Sequence, residues 1–211
     1  MKNSALIRPP EQARSRETMD KILTAMEQLL AEKTFDQITI QEVALRSDTG
    51  ISSIYARFRN KQTLVIGLHA RLREQVIECL EEMTSPERWA NSSTDEIIAS
   101  VVPQCVKFYR KHAPLMRAAL RIDLPEMRER QATVLKFAST RFNALISPRY
   151  PEHEKEVKFA VKSSVKMLVS LMYTSLIFND ENSSNRFFTN ERTNIRMLTK
   201  AITALINSSH D

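Results

Sequence analysis

The stretch from Thr39 to Leu64, TIQEVALRSDTGISSIYARFRNKQTL, leaves a folding chain few options. Ile40, Val43 and Ala44 fall at i, i+3 and i+4, an apolar stripe opening just after a threonine that can cap a helix. Ile54, Tyr55 and Phe58 repeat that spacing further on. Between the stripes lies Ser47-Asp48-Thr49-Gly50, a cluster of turn formers in which Asp and Gly both tolerate positive φ. Neither helix can bury itself alone, and two such helices joined by a tight turn describe a helix-turn-helix. The second would expose Ser52, Ser53, Ala56 and Arg57, small hydrogen-bonding groups beside a cation. That face suits a major groove better than a core.

Thr39, Ile40, Val43, Ala44, Tyr55, Phe58, Lys61 and Leu64 match, without a gap, the pattern of TetR-type (tetracycline-repressor-like) transcriptional regulators, which the segment resembles. Upstream, Ile22 to Ile40 looks like that family's first helix and its link, with Phe35 in the usual aromatic position. Two residues depart from the pattern. Asp48 stands where the family usually has the turn glycine, and Gly50 where it usually has a capping serine. Asp tolerates the left-handed region better than most residues and Gly is an acceptable N-cap, so the turn is expected to be strained but intact. The resemblance implies that Thr39, Tyr55 and Lys61 contact phosphates. It places Gln41, Ile51, Ser52, Ser53 and Arg57 where base edges are read. Physically, Arg57 can bond to guanine and Ile51 can pack on a thymine methyl. Ile51 equally extends the apolar stripe back by one turn, as a core residue would, and Phe58 reads as core.

Charge is placed unevenly. From Gly50 to Lys61 there are Arg57, Arg59 and Lys61 and no acid, which is what phosphate neutralisation requires. The chain as a whole carries +6 with a pI near 9.4, which fits a polyanionic partner without demanding one. With 42% hydrophobic residues, 211 positions suffice for one large or two modest domains. Only two glycines and no alternating runs argue against a sheet. Long stretches of Leu, Ala, Glu, Lys, Arg and Met argue for an all-α chain of about nine helices. Cys79 and Cys105 have neither paired nor metal-ligand spacing, consistent with reduced thiols in a cytoplasm. No signal peptide or long apolar run is visible, so a cytoplasmic protein without a membrane partner is expected.

Residues 1–13, with Pro9 and Pro10, read as a mobile basic arm that either touches DNA or is a solvated tail. The helix-turn-helix domain is expected over 14–62, with Ile22, Leu23, Met26, Leu29 and Leu30 as the buried stripe of its first helix. A connector helix over 63–83 repeats Leu64, Leu68, Leu72, Val76 and Leu80 near every fourth position and stops before Pro86. A C-terminal domain for ligand binding and dimerisation follows over 84–211. Ser93 and Glu96 form a capping box, and Pro114, Pro125 and Pro151 sit where helices can start. The expected helices there are 94–112, 114–121, 125–147, 151–179 and 190–207.

The last two carry broad apolar faces dotted with small residues. The resemblance implies that such helices pair into a four-helix homodimer interface, assigned here to Met167, Leu168, Leu171, Ser175, Leu198, Ile202 and Leu205. Completing the monomer's own core is the alternative. A dimer also fits recognition of a palindromic operator in double-stranded DNA, with half-sites about 10 base pairs or a multiple apart. Trp89, Phe108, Tyr109, Met116, Met127, Phe137 and Tyr173 are the large adaptable groups available to an effector pocket, or else to an ordinary core. Glu78, His112 or Asp123 could add a polar anchor.

Catalysis finds little support. His69, His112, His153 and His210 are far apart, and there is no phosphate loop, nucleophile elbow or Cys–His pairing visible in sequence. No cofactor and no metal are expected. The chain therefore reads as a ligand-responsive DNA-binding regulator, of repressor type, released by a small-molecule effector of unspecified identity. The alternative is a protein of the same fold without a small effector, such as a chromosome-organising or partner-controlled factor.

Overall fold

Caps and prolines cut the chain where the apolar stripes end. A computed structural model describes residues 9–122, 125–178 and 191–210, with side chains described except at 9–14, 125–127, 175–178 and 191. The described residues form α1 (Pro9–Glu32), α2 (Ile40–Ser47), α3 (Ile51–Tyr55), α4 (Lys61–Met83), α5 (Thr94–Lys111), α6 (Ala113–Ile122), α7 (Pro125–Ile146), α8 (Glu154–Phe178) and α9 (Glu191–Asn207). No strand occurs among them, and the class is all-α. Asn60 caps α4 by accepting the Thr63 amide at 3.0 Å. Ser93 and Glu96 cap α5 reciprocally, the Glu96 carboxylate accepting the Ser93 amide at 2.8 Å and the Ser93 hydroxyl accepting the Glu96 amide at 3.2 Å.

Two boundaries differ from expectation by more than two residues. Helix α1 begins at Pro9, so residues 9–13 of the expected arm are helical, a proline at the first position being compatible with a helix start; residues 1–8 lie outside the described residues. Pro151 opens a single 3₁₀ turn, Pro151–His153, and α8 proper starts only at Glu154.

Two cores share one spine. The first joins Ile22, Met26, Ile38, Val43, Ile54 and Leu64, each fully buried or nearly so, from α1, the link, α2, α3 and α4. Burying a side chain of this size contributes about 1.5–3 kcal/mol, so the short α2 and α3 owe their existence to this packing rather than to propensity. Gly67 marks the closest approach in this core. A Cβ there would stand 3.1 Å from Leu23 Cδ2 and 3.2 Å from Phe58 Cε1. The second core joins Leu80 and Met83 of α4 to α5, α7, α8 and α9. Helix α4 thus contributes to both. Helix α6 belongs to the first alone: its Leu115, Ala118 and Ala119 enter that core although the helix follows the connector by thirty residues of sequence (113 against 83).

The apolar stripe of α9 faces inward. Leu198, Ile202 and Ile206 are buried in the second core, where α9 packs on α5 and α8. Leu198 and Ile202 are therefore core residues of the protomer and offer no surface to a dimer partner. Leu168 is half-buried and turns into a cavity described below, and Leu205 packs half-buried against the second core.

Candidate nucleic-acid interface and effector cavity

The helix-turn-helix is clamped to α1 by charge and by caps. Thr39 accepts the Glu42 amide at 3.2 Å, while the Glu42 carboxylate accepts the Thr39 amide at 2.8 Å. The other Glu42 oxygen pairs with Lys33, and this lysine together with the Thr39 amide holds the Glu42 carboxyl down at about 2. Arg46 grips Glu32 of α1 with two hydrogen bonds, 2.7 and 2.9 Å long. In the turn, Asp48 adopts φ 51° and ψ 46°, left-handed as its position after α2 requires. It is the one non-glycine residue with positive φ among those described. The Thr49 amide donates to the Ala44 carbonyl at 3.0 Å, and the Ser47 hydroxyl donates to the Val43 carbonyl at 2.7 Å. The departure from the usual turn glycine is thus absorbed locally.

Helix α3 is anchored by Ile54 and by Phe58 just beyond it, both buried. Its other face is open. Ile51 is 40% exposed and Tyr55 53% exposed, so Ile51 does not continue the core stripe. Ser52, Ala56, Arg57 and Arg59 are exposed and Ser53 is half-buried. On α2, Gln41 points outward and Leu45 is 85% exposed, the most exposed large apolar side chain of the chain as described. Arg57 donates to the Ser53 carbonyl at 2.9 Å, which sets the guanidinium along the outer edge of α3 while leaving further donors free.

Lys61 is placed otherwise than a phosphate contact would be. Its ammonium donates to the carbonyls of Phe35 and Ile38, both at 2.8 Å, and to that of Asp36 at 3.4 Å. It also lies 4.4 Å from the centre of the Phe35 ring. Burial lowers its pKa, offset in part by the Glu42 charge. The ammonium is a plug for the link between α1 and α2.

Between α4, α5, α7 and α8 lies a cavity of about 200 Å³. Phe108, Tyr109, Met116 and Tyr173 line it, four of the residues expected there. Tyr109 and Tyr173 meet edge to face with centroids 5.6 Å apart, and burial pushes both phenols up. Trp89 does not reach the cavity: it is buried with its indole N–H donating to the Met83 carbonyl at 2.7 Å, closing the loop after α4. Phe137 packs against the second core without lining the cavity. The side chains of Met127 and Ser175, and Asp123 altogether, lie outside the described residues. Glu78 is exposed, and His112 faces Glu27 of α1 at 3.6 Å rather than the cavity.

The polar residues of the cavity wall, His69, Arg73, Gln131 and Ser164, escaped the sequence pattern. A signal for two of them existed. His69 and Arg73 are spaced i, i+4 and follow Leu68 and Leu72 by one residue each, a polar row along the flank of the apolar stripe. Cys105 also lines the wall, its thiol pushed up to about 12 by burial and by Cys79, and so unreactive.

Residues 22–68 match the family model of bacterial regulatory proteins of the tetR family. Over that segment the chain carries a TetR-type helix-turn-helix. The model is one of bacterial regulatory proteins, and a DNA-binding regulator is the class that this match supports. The likeness in fold extends well beyond that segment. A crystal structure described as a TetR-family regulator from Mesorhizobium loti superposes with a TM-score of 0.70 at 16% identity, covering 92% of this chain and 98% of that one. A tetR-family regulator from Streptomyces coelicolor gives 0.65 at 15% identity, covering 92% and 82%. The regulator FadR from Bacillus subtilis, solved in complex with stearoyl-CoA, gives 0.58 at 18% identity, covering 91% and 97%. At these identities the likeness is one of fold. No curated protein sequence matches the chain. Among the described residues, no helix is long and apolar enough to cross a membrane.

Proposed function

We propose that this TetR-type protein is a repressor that binds a palindromic operator as a homodimer and is released by a small molecule in the C-terminal cavity. The observation that carries the reading is the outward face of α3: Ile51, Ser52, Tyr55 and Arg57 stand exposed on a helix whose other side is locked by Ile54 and Phe58. Base reading falls to Gln41, Ile51, Ser52, Ser53 and Arg57, and phosphate contact to Thr39 and Tyr55, with Arg59 as the accessible cation in place of Lys61.

Release works through α6. Phe108 and Met116 line the cavity, and the Phe108 ring lies 4.6 Å from His112. His112 faces Glu27 of α1, which Arg71 of α4 also holds. Leu115, Ala118 and Ala119 sit inside the DNA-binding core itself. A ligand that displaces Phe108 and Met116 shifts α6 and with it α1 and the recognition helix. It does so only to the extent that it prefers the released arrangement. That FadR, a chain of this fold, was solved in complex with stearoyl-CoA supports a small-molecule effector here.

The homodimer forms through the outer faces of α8 and α9. Phe159 is 73% exposed on α8 and Met197 50% exposed on α9, with Met167 and Leu171 half-buried at the margin of the second core. The experiment is fluorescence anisotropy with operator DNA from the chain's own promoter region, for wild type and Arg57→Ala. Arg57→Ala is expected to weaken binding by about 1–3 kcal/mol and to relax preference at one base position. Unchanged affinity and unchanged sequence preference would remove α3 from base reading.

A further inference from the structure

The cavity wall is mostly apolar, and His69 and Arg73 form a polar row along its α4 side. His69 is 8% exposed, and its Nδ1 is buried without a hydrogen-bond partner. The Nε of Arg73 is likewise buried and unpartnered, as is one terminal nitrogen of Arg130, whose charge acts on His69 from α7. Across the cavity, Ser164 of α8 is 4% exposed with its hydroxyl unpartnered. No aspartate or glutamate lines the cavity, and neither arginine has an ion pair among the described residues. Buried donors left in this state are costly to the folded chain. Arg73, half-buried in that wall, also has no acid beside it among the described residues, which adds to the cost. What satisfies several convergent donors and one guanidinium together is a planar anion with two oxygens. Size narrows the choice. An apolar cavity of about 150 Å³ holds one benzene ring, and this one is about 200 Å³.

We infer that the effector is a compact carboxylic acid bound as its anion, with its carboxylate on Arg73 beside His69 and an aryl or short alkyl body among Val101, Cys105 and Val165. This rests on the effector-release reading above and adds the ligand's chemistry. It also explains how binding is felt. Arg73 lies two residues beyond Arg71, whose guanidinium reaches Thr24 at 3.1 Å and Glu27 at 2.5 Å on α1. A ligand that draws on Arg73 acts on the turn of α4 that fastens the DNA-binding domain.

The test is isothermal titration of the full-length protein with 3-phenylpropanoate and octanoate, each against its neutral amide. A charge-assisted contact predicts that at least one acid binds about tenfold to a hundredfold tighter than its amide. Arg73→Gln should abolish that preference while changing amide affinity less than about twofold, and Arg73→Lys should keep part of it. The wild-type comparison of acid with amide stands by itself if a variant fails to fold. Equal affinity for acid and amide overturns the inference, as does an acid preference retained in Arg73→Gln, or no binding of either class at millimolar concentration. Operator retardation measured in parallel separates the two proposals. Acid binding that leaves retardation intact supports the ligand class and sinks release, whereas intact DNA binding with no acid binding sinks the ligand class alone.

Discussion

Lys61 offers a sharp choice between two physical roles, and replacing it with methionine decides between them. Methionine keeps most of the apolar stem against the link while removing the ammonium. Three carbonyls, of Phe35, Asp36 and Ile38, then lose their charged donor, and the Phe35 ring loses its cation. A hydrogen bond to a charged group contributes about 1.5–3 kcal/mol. The three bonds share one half-exposed ammonium, so the sum lies near the lower end, about 2 kcal/mol including the cation–π contact. For a chain of this length that corresponds to a fall of roughly 4–8 °C in Tm. The dependence of operator affinity on salt should stay the same, because an ammonium turned to the link displaces no counterion from DNA. A phosphate contact predicts the reverse: stability unchanged, and a salt slope lower by about one unit. Thermal unfolding followed by circular dichroism, with anisotropy titrations at four salt concentrations, measures both. An unshifted Tm together with the reduced slope would refute the structural role.

Asp48→Gly should relieve the left-handed turn and raise stability by up to about 1 kcal/mol, whereas Asp48→Ala should lower it, both read from denaturant midpoints; equal stability of the two variants would show that φ 51° carries no cost. Phe159→Asp and Met197→Asp alter side chains already exposed in the protomer, so both should fold normally and yield monomers on sizing with light scattering. Dimers that survive in both variants would move the interface off α8 and α9. Burial lowers the pKa of His69 and His112 below the 6.5 of a free imidazole, for His112 against the opposing pull of Glu27. The folded chain therefore binds fewer protons than the unfolded one, so this stability is present in full above pH 6.5 and is lost as pH falls below it. Melting temperature should drop between pH 7.5 and 5.5, and His112→Asn should flatten that drop; a profile that rises on acidification contradicts the burial.

Local physics made much of the fold readable from the chain alone. A capping threonine, two stripes at helical spacing and a turn cluster specify α2 and α3, because each feature acts over only a few residues. The same holds for the cap at Ser93 and for the prolines that bound the later helices. The open face of α3 followed as well, since Ile54 and Phe58 claim one side of so short a helix and leave the other to solvent.

What depends on which element lies opposite could not be read in this way. The stripe of Leu198, Ile202 and Ile206 looks the same whether it meets a partner or the protomer's own α5, and only packing assigned it inward. Lys61 counts as one more cation in a basic run until the link between α1 and α2 folds back and presents its carbonyls. The cavity owes its polar row to α4, but the lack of a matching acid among its described lining residues arises from what α5, α7 and α8 bring to the other walls. The helix-turn-helix was determined by the sequence itself, because its interactions are short in range. The destination of every long side chain was settled by tertiary structure, because burial and charge pairing are properties of neighbours distant along the chain.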